Sequence, residues 1–156
     1  MNPIRMPRSA LTLTAALLCI GGALQLAAAQ TPTPAPSLYQ RVGGYDALAA
    51  VTDDFIGRLV TDSSLSRFFG GHSKDSQGRI RQLVLDQLCA VTGGPCVYIG
   101  RDMKTTHAGL GITQANWDQS VQLLVATLNK FKVPQKEQQE VLAAVSTLKG
   151  DIVERP

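Results

Sequence analysis

Residues 37–156 predict an all-α domain, and three observations carry that reading. Apolar side chains recur at spacings of three and four, the period of one helix face. No segment reads as a strand run. Breakers separate the periodic runs: "GGHSKDSQG" at 70–78, "TGGP" at 92–95 and "KVPQ" at 132–135.

The first element in chain order is not part of the fold. "MNPIRMPRSALTLTAALLCIGGALQLAAAQ" has Arg5 and Arg8, an apolar run from Ala10 to about Ala23, and then "AAAQ". Those are the charged, apolar and small-residue regions of a secretory signal, read as residues 1–29. An exported protein, in a periplasm, follows. Gly21, Gly22 and Gln25 interrupt the run, which argues against a permanent anchor. An uncleaved membrane anchor is the alternative. Cys19 raises lipid attachment, but "ALL" before it lacks the usual small residue. The mature form is expected to have no membrane span. Residues 30–36, within "QTPTPAPS", read as an extended polyproline-type spacer.

Removing Arg5 and Arg8 lowers the formal net charge from +3 to about +1. A near-neutral domain gives no electrostatic reason to expect nucleic acid as a partner.

Four helical stripes follow. Leu48, Val51, Phe55 and Leu59 make the first, after the turn at Gly43 and Gly44. Ile80, Leu83, Val84, Gln87, Leu88 and Val91 make the second. Trp117, Val121, Leu124, Leu128 and Phe131 make the third, with Thr113 as its cap. Val141, Val145, Leu148 and Ile152 make the fourth, after Pro134. Each has one apolar face, so the four should pack on one another.

Cys89 and Cys96 remain once the leader is removed. In an oxidising compartment a disulfide is favoured over a buried thiol plus a loop cysteine. Gly93, Gly94 and Pro95 between them can fold the chain back. Two cysteines with no nearby histidine do not complete a zinc shell.

The stretch 92–112 is long and glycine-rich, with one short possible helix around Asp102 to Ala108. A compact domain keeps such a loop when it has a task. One of the chain's two histidines, His107, sits in it. A lone histidine can be a general base, a surface group, a satisfied core group or an axial ligand. Lys104, Thr105 and Thr106 form no convincing triad with it. Haem iron needs only one protein ligand, because the porphyrin supplies four nitrogens. It also needs an apolar crevice, which Phe55, Phe69, Val84, Met103, Trp117 and Val121 could line.

"SLYQRVGGYDALAAVTDDF", "LSRFFGG", "TGGPCVYIGRDMKTTHAGLGIT" and "NWDQSVQLLVATLNKFKVP" resemble successive blocks of the group I truncated haemoglobins. The similarity runs from about Ser37 to Ile152. It implies a two-on-two helical sandwich with a small first helix and a mostly looped segment before the iron ligand. It implies haem b, with His107 matching the proximal histidine that binds iron. Met103 and Phe69 match residues that pack on the haem, and Trp117 and Val121 match the proximal side of the pocket. Tyr98 and Lys104 either reach the haem rim or are surface residues.

The distal side departs from the family. Ile56 stands where many members carry a tyrosine. Ile80, Leu83 and Val84 match positions that often hold a polar group. Gln87, on the same stripe, and His72, in the 70–78 loop, are polar candidates for that side; both also read as exposed. The resemblance therefore implies a globin that reversibly binds oxygen or another diatomic gas (nitric oxide, carbon monoxide) in an unusually apolar distal pocket. The alternative is a haem-dependent redox enzyme, a nitric-oxide dioxygenase or peroxidase-like protein, which would need an external electron donor. A gas-binding protein is the preferred reading.

Overall fold

The computed structural model describes residues 34–155. The expected leader and most of the proline-rich spacer lie outside them, while Pro34–Pro36 are exposed and irregular. Seven α-helices and one 3-10 turn make up the described residues, with no strand and one isolated bridge between Thr113 and Arg155.

Helix α1 (Leu38–Arg41) is a single turn. The Ser37 side chain accepts from Gln40 N, and Gln40 Oε1 accepts from Ser37 N at 2.9 Å. This capping box starts the helix, and Gly43 stops it. Its φ is +101°, and a Cβ there would lie 2.8 Å from that of Ala47. Only glycine fits such a position. Helix α2 (Gly44–Thr61) then runs along the first stripe, with Leu48, Val51 and Thr52 buried.

A 3-10 turn over Ser66–Phe68 leads to α3 (Lys74–Val91). This helix starts earlier than the 70–78 breaker implied. The Ser73 hydroxyl caps Ser76 N at 3.2 Å, and Asp75 sits in the first turn. A capping serine and an early acid favour a helix start strongly enough to absorb Gly78. The loop shrinks to the residues around His72. The second stripe also divides. Leu85, Leu88 and Cys89 are buried, whereas Ile80, Leu83, Val84 and Gln87 are half-buried. Leu85, fully buried, was not on the stripe; α3 is apolar on more than one face.

Helix α4 (Met103–His107) follows the long connection, and α5 (Gln114–Lys130) opens on Thr113 as expected. The Thr113 hydroxyl caps Asn116 N at 3.2 Å. Phe131, expected on the third stripe, is 39% exposed, because α5 ends at Lys130 and turns the ring outward. The fourth stripe is broken in two: α6 (Gln135–Ser146) and α7 (Lys149–Ile152). Ser146 and Thr147 explain the break. Their hydroxyls donate back to Leu142 O and Ala144 O, both at 2.7 Å, and such bonds compete with the helix ladder.

Helix α2 packs on α3 and α5, and α6 closes against α5 and α3. Two clusters fill the sandwich. Val51, Leu124, Leu128 and Val141 join α2, α5 and α6; Leu48, Leu85 and Cys89 join α2 to α3. Burying one such leucine stabilises the fold by about 1.5–3 kcal/mol. Asp54 braces α2 on α5. It accepts from Arg58 Nε at 2.6 Å, from Thr127 Oγ1 at 2.9 Å and from Lys130. Lys130 first, then Arg58, hold its carboxyl well below the usual range, against the opposing effect of burial.

Candidate functional site

The connection from α3 to α4 is tied down at its start. Cys89 and Cys96 are joined by a disulfide, with Cα atoms 5.7 Å apart. Tyr39 N donates to Thr92 O at 2.8 Å, and Gly94 N to Cys89 O at 2.8 Å. A Cβ on Gly94 would come within 2.6 Å of both Cys89 Sγ and the Tyr39 ring, so the bridge needs glycine there. Tyr98 spends its hydroxyl on Arg101 O at 2.7 Å, inside the loop, and Lys104 is exposed.

Asp102 caps α4 by accepting Thr105 N at 2.8 Å. That amide is the main cause holding the Asp102 carboxyl below its ordinary value. His107 is the last helical residue and is half-buried. Its Nδ1 lies 2.8 Å from Met103 O. A carbonyl only accepts, so the proton sits on Nδ1. In the neutral ring Nε2 then keeps a free lone pair, the form that ligates a metal. Among the described residues no three His, Cys, Asp or Glu side chains converge, so His107 offers a single nitrogen donor. That donor set fits a haem iron, which asks the protein for one axial ligand.

After His107 the chain turns sharply. Leu110 N donates to His107 O at 3.2 Å, and Gly109 and Gly111 have φ of +81° and +66°. Both glycine amides donate to the Glu154 carboxylate, one to each oxygen. Gly109, then Gly111, hold that carboxyl below its ordinary value.

A cleft of about 350 Å³ opens between α2, the 3-10 turn and the start of α3. Ile56, Val60, Phe69 and Ile80 give it apolar walls; Ser66, His72 and Gln77 are its polar lining. Gln77 Nε2 donates to His72 O at 3.2 Å and holds the His72 loop over the first turn of α3. Of the residues singled out from sequence, the structure brings Ile56, Phe69, Ile80 and His72 together here. Leu83, Val84 and Gln87 lie further along α3 and are half-buried, as are Met103 and Val121. Trp117 is 7% exposed, in the core. Phe55 packs on the Val51–Leu124–Leu128–Val141 cluster, because its place on α2 turns it toward α5 and α6.

Sequence reasoning missed Val60, Ser66, Gln77 and Glu154. Val60 carried a signal, one turn after Ile56. Glu154 carried none, because its partners lie far away in the chain.

The bacterial-like globin family model matches residues 37–154. A group 1 truncated haemoglobin of Mycolicibacterium paratuberculosis is 34% identical over 116 residues, covering 74% of this chain and 83% of the relative. The chain belongs to the group 1 truncated haemoglobins. It is a haem-binding globin by family, and the family binds small diatomic gases. The two-on-two fold is shared with solved members. The cyanomet 2/2 haemoglobin of a Synechococcus species, with covalently attached haem, superposes with a TM-score of 0.70 at 27% identity. That match covers 77% of this chain and 100% of the other. The Fe(III) truncated haemoglobin of Tetrahymena pyriformis gives the same TM-score at 24% identity, covering 76% and 98%. No helix among the described residues is long and apolar enough to cross a membrane.

Proposed function

We propose that this truncated haemoglobin holds haem b through His107 and reversibly binds oxygen or another diatomic gas in an apolar distal pocket. The observation that carries the reading is the Nδ1 contact of His107 with Met103 O, which presents Nε2 as an unshared donor. When bound, the haem supplies the iron that takes the gas. Every other property comes from the chain. Met103 O fixes the ring orientation of His107, as a second partner does for most ligating histidines. Ile56 and Ile80 line the cleft with hydrocarbon and offer a bound ligand no hydrogen bond. Where these two walls face the ligand, fast oxygen release and easy oxidation to the ferric form are expected. Phe69 packs beside them, and Met103, Val84, Trp117 and Val121 are proposed to complete the haem surround.

His72 is exposed and lines the same cleft, so it is the residue able to turn inward as a sixth ligand. The Cys89–Cys96 bridge supports action outside the cytoplasm, in keeping with the leader expected from sequence at 1–29.

Absorption spectra of the purified protein in ferric, ferrous and carbonyl forms test the proposal. A strong Soret band that shifts between the three is expected; a colourless protein that takes up no haem refutes it. Rapid-mixing oxygen dissociation tests the pocket, since slow release contradicts an apolar distal side. A ferric spectrum unchanged by His72→Ala removes the sixth-ligand role.

A further inference from the structure

We propose that Glu154 is a positioning residue for His107: the C-terminal tail sets the orientation of the proximal ring by clamping the turn behind it. The inference rests on the proposed iron-ligating role of His107.

Helix α4 is five residues long. One and a half turns do not hold together alone, because nucleation costs more than so few hydrogen bonds return. Asp102 caps the front of α4. At the back, Ala108 already has extended angles, φ −58° and ψ 129°, directly after His107. The Met103 bond ties the ring to this short helix, so what holds the helix itself must come from elsewhere. Two anchors hold it. Helix α7 packs on α4. The tail after α7 then returns along the chain beyond His107: Glu154 N donates to Ile112 O at 2.9 Å, Arg155 N to Ile112 O at 3.3 Å, and Gln114 N to Arg155 O at 3.1 Å.

Those backbone bonds place the Glu154 carboxylate under the turn. Positive φ at Gly109 and Gly111 aims both amides the same way, a concavity suited to an anion. One carboxylate oxygen takes each amide, which locks the two peptide planes relative to each other. The turn they belong to is closed on His107 O by Leu110 N. Rotation of the His107 backbone thus requires breaking the clamp. Glu154 is exposed, so its removal hands the two amides to water and leaves the core intact.

The full chain with Glu154→Ala, Glu154→Gln and Glu154→Asp decides the matter. In Glu154→Ala the Gly109 and Gly111 amide resonances move, and so do the His107 ring resonances. In the haem-loaded protein the ferrous iron–histidine stretching band shifts or broadens. Haem transfer to an excess acceptor globin speeds up about tenfold, the low end of what losing a supporting group behind a ligating histidine costs. Glu154→Asp recovers part of the wild-type signature; Glu154→Gln, with one acceptor oxygen, falls between. Unmoved glycine amides, or moved amides with unchanged His107 ring signals and stretching band, overturn the proposal. If the wild-type chain takes up no haem, the proposed function fails. The clamp is then judged in the haem-free chain by the His107 ring resonances alone.

Discussion

The ring Nδ1 of His107 sits 2.8 Å from the carbonyl oxygen of Met103, one helical turn earlier. The bond ties a side chain to its own helix, so ring and helix move as one body. It also leaves Nε2 unprotonated in the neutral ring. Replacing His107 by alanine should remove haem binding by more than about 100-fold, since even groups behind a ligating histidine are worth 10- to 100-fold. Haem titration followed at the Soret band measures this. Retained affinity and an unchanged ferrous spectrum would mean that another residue ligates the iron.

Ile56 and Ile80 share the wall of one cleft, and neither can donate a hydrogen bond. Ile56→Tyr restores a hydroxyl. A donor there should stabilise a bound, polarised ligand by about 1.5–3 kcal/mol, which slows oxygen release roughly 10- to 100-fold. Stopped-flow dissociation gives the answer. An unchanged rate would place the new hydroxyl outside the ligand's reach.

Cys89 and Cys96 enclose a short loop, with a sequence separation of 7. On the chain-entropy account the double change to alanine should lower unfolding stability by about 2–3 kcal/mol. Urea titration of the oxidised protein and the variant compares them. Equal midpoints would show that the bridge adds nothing that the Tyr39–Thr92 and Gly94–Cys89 hydrogen bonds do not already supply.

Asp54 links α2 to α5 through Lys130, Arg58 and Thr127. Its folded carboxyl is held below the ordinary value of 3.8. The sign follows from linkage. The stabilisation is fully present above 3.8 and is lost as pH falls below that, through the depressed folded value. Asp54→Asn should cost about 1–2 kcal/mol near neutral pH, charged hydrogen bonds discounted for their partly exposed partners. The gap to wild type should narrow as pH falls below 3.8 and close only below the depressed folded value. Chemical denaturation followed from neutral pH down to about pH 3 (about one unit below the ordinary Asp value) tests it; a gap that does not narrow at all argues against the ion pair as the source.

The helices that carry the core were legible because their periodicity is strong and their caps are local. Thr113, three residues before Asn116, is read within one turn of chain. Boundaries set by competition were not legible. Ser73 against Gly78, and the hydroxyls of Ser146 and Thr147 against the helix ladder, are near-balanced local choices. The stripe on α3 misled for a different reason. A helix packed on two neighbours is apolar on two faces, and periodicity alone does not say which face meets the core.

By itself the sequence determined the all-α class, the family blocks from Ser37 to Ile152, and His107 as the residue to watch, and it favoured the Cys89–Cys96 pairing that the structure forms. All of these are written in residue type and short-range spacing. Only the tertiary structure decided what surrounds that histidine. The tail brings Glu154 onto Gly109 and Gly111, and the turn before α3 brings His72 beside Ile56 and Phe69. Contacts between residues far apart in the chain depend on how the helices pack, and packing is a property of the assembled sandwich, not of any segment read alone.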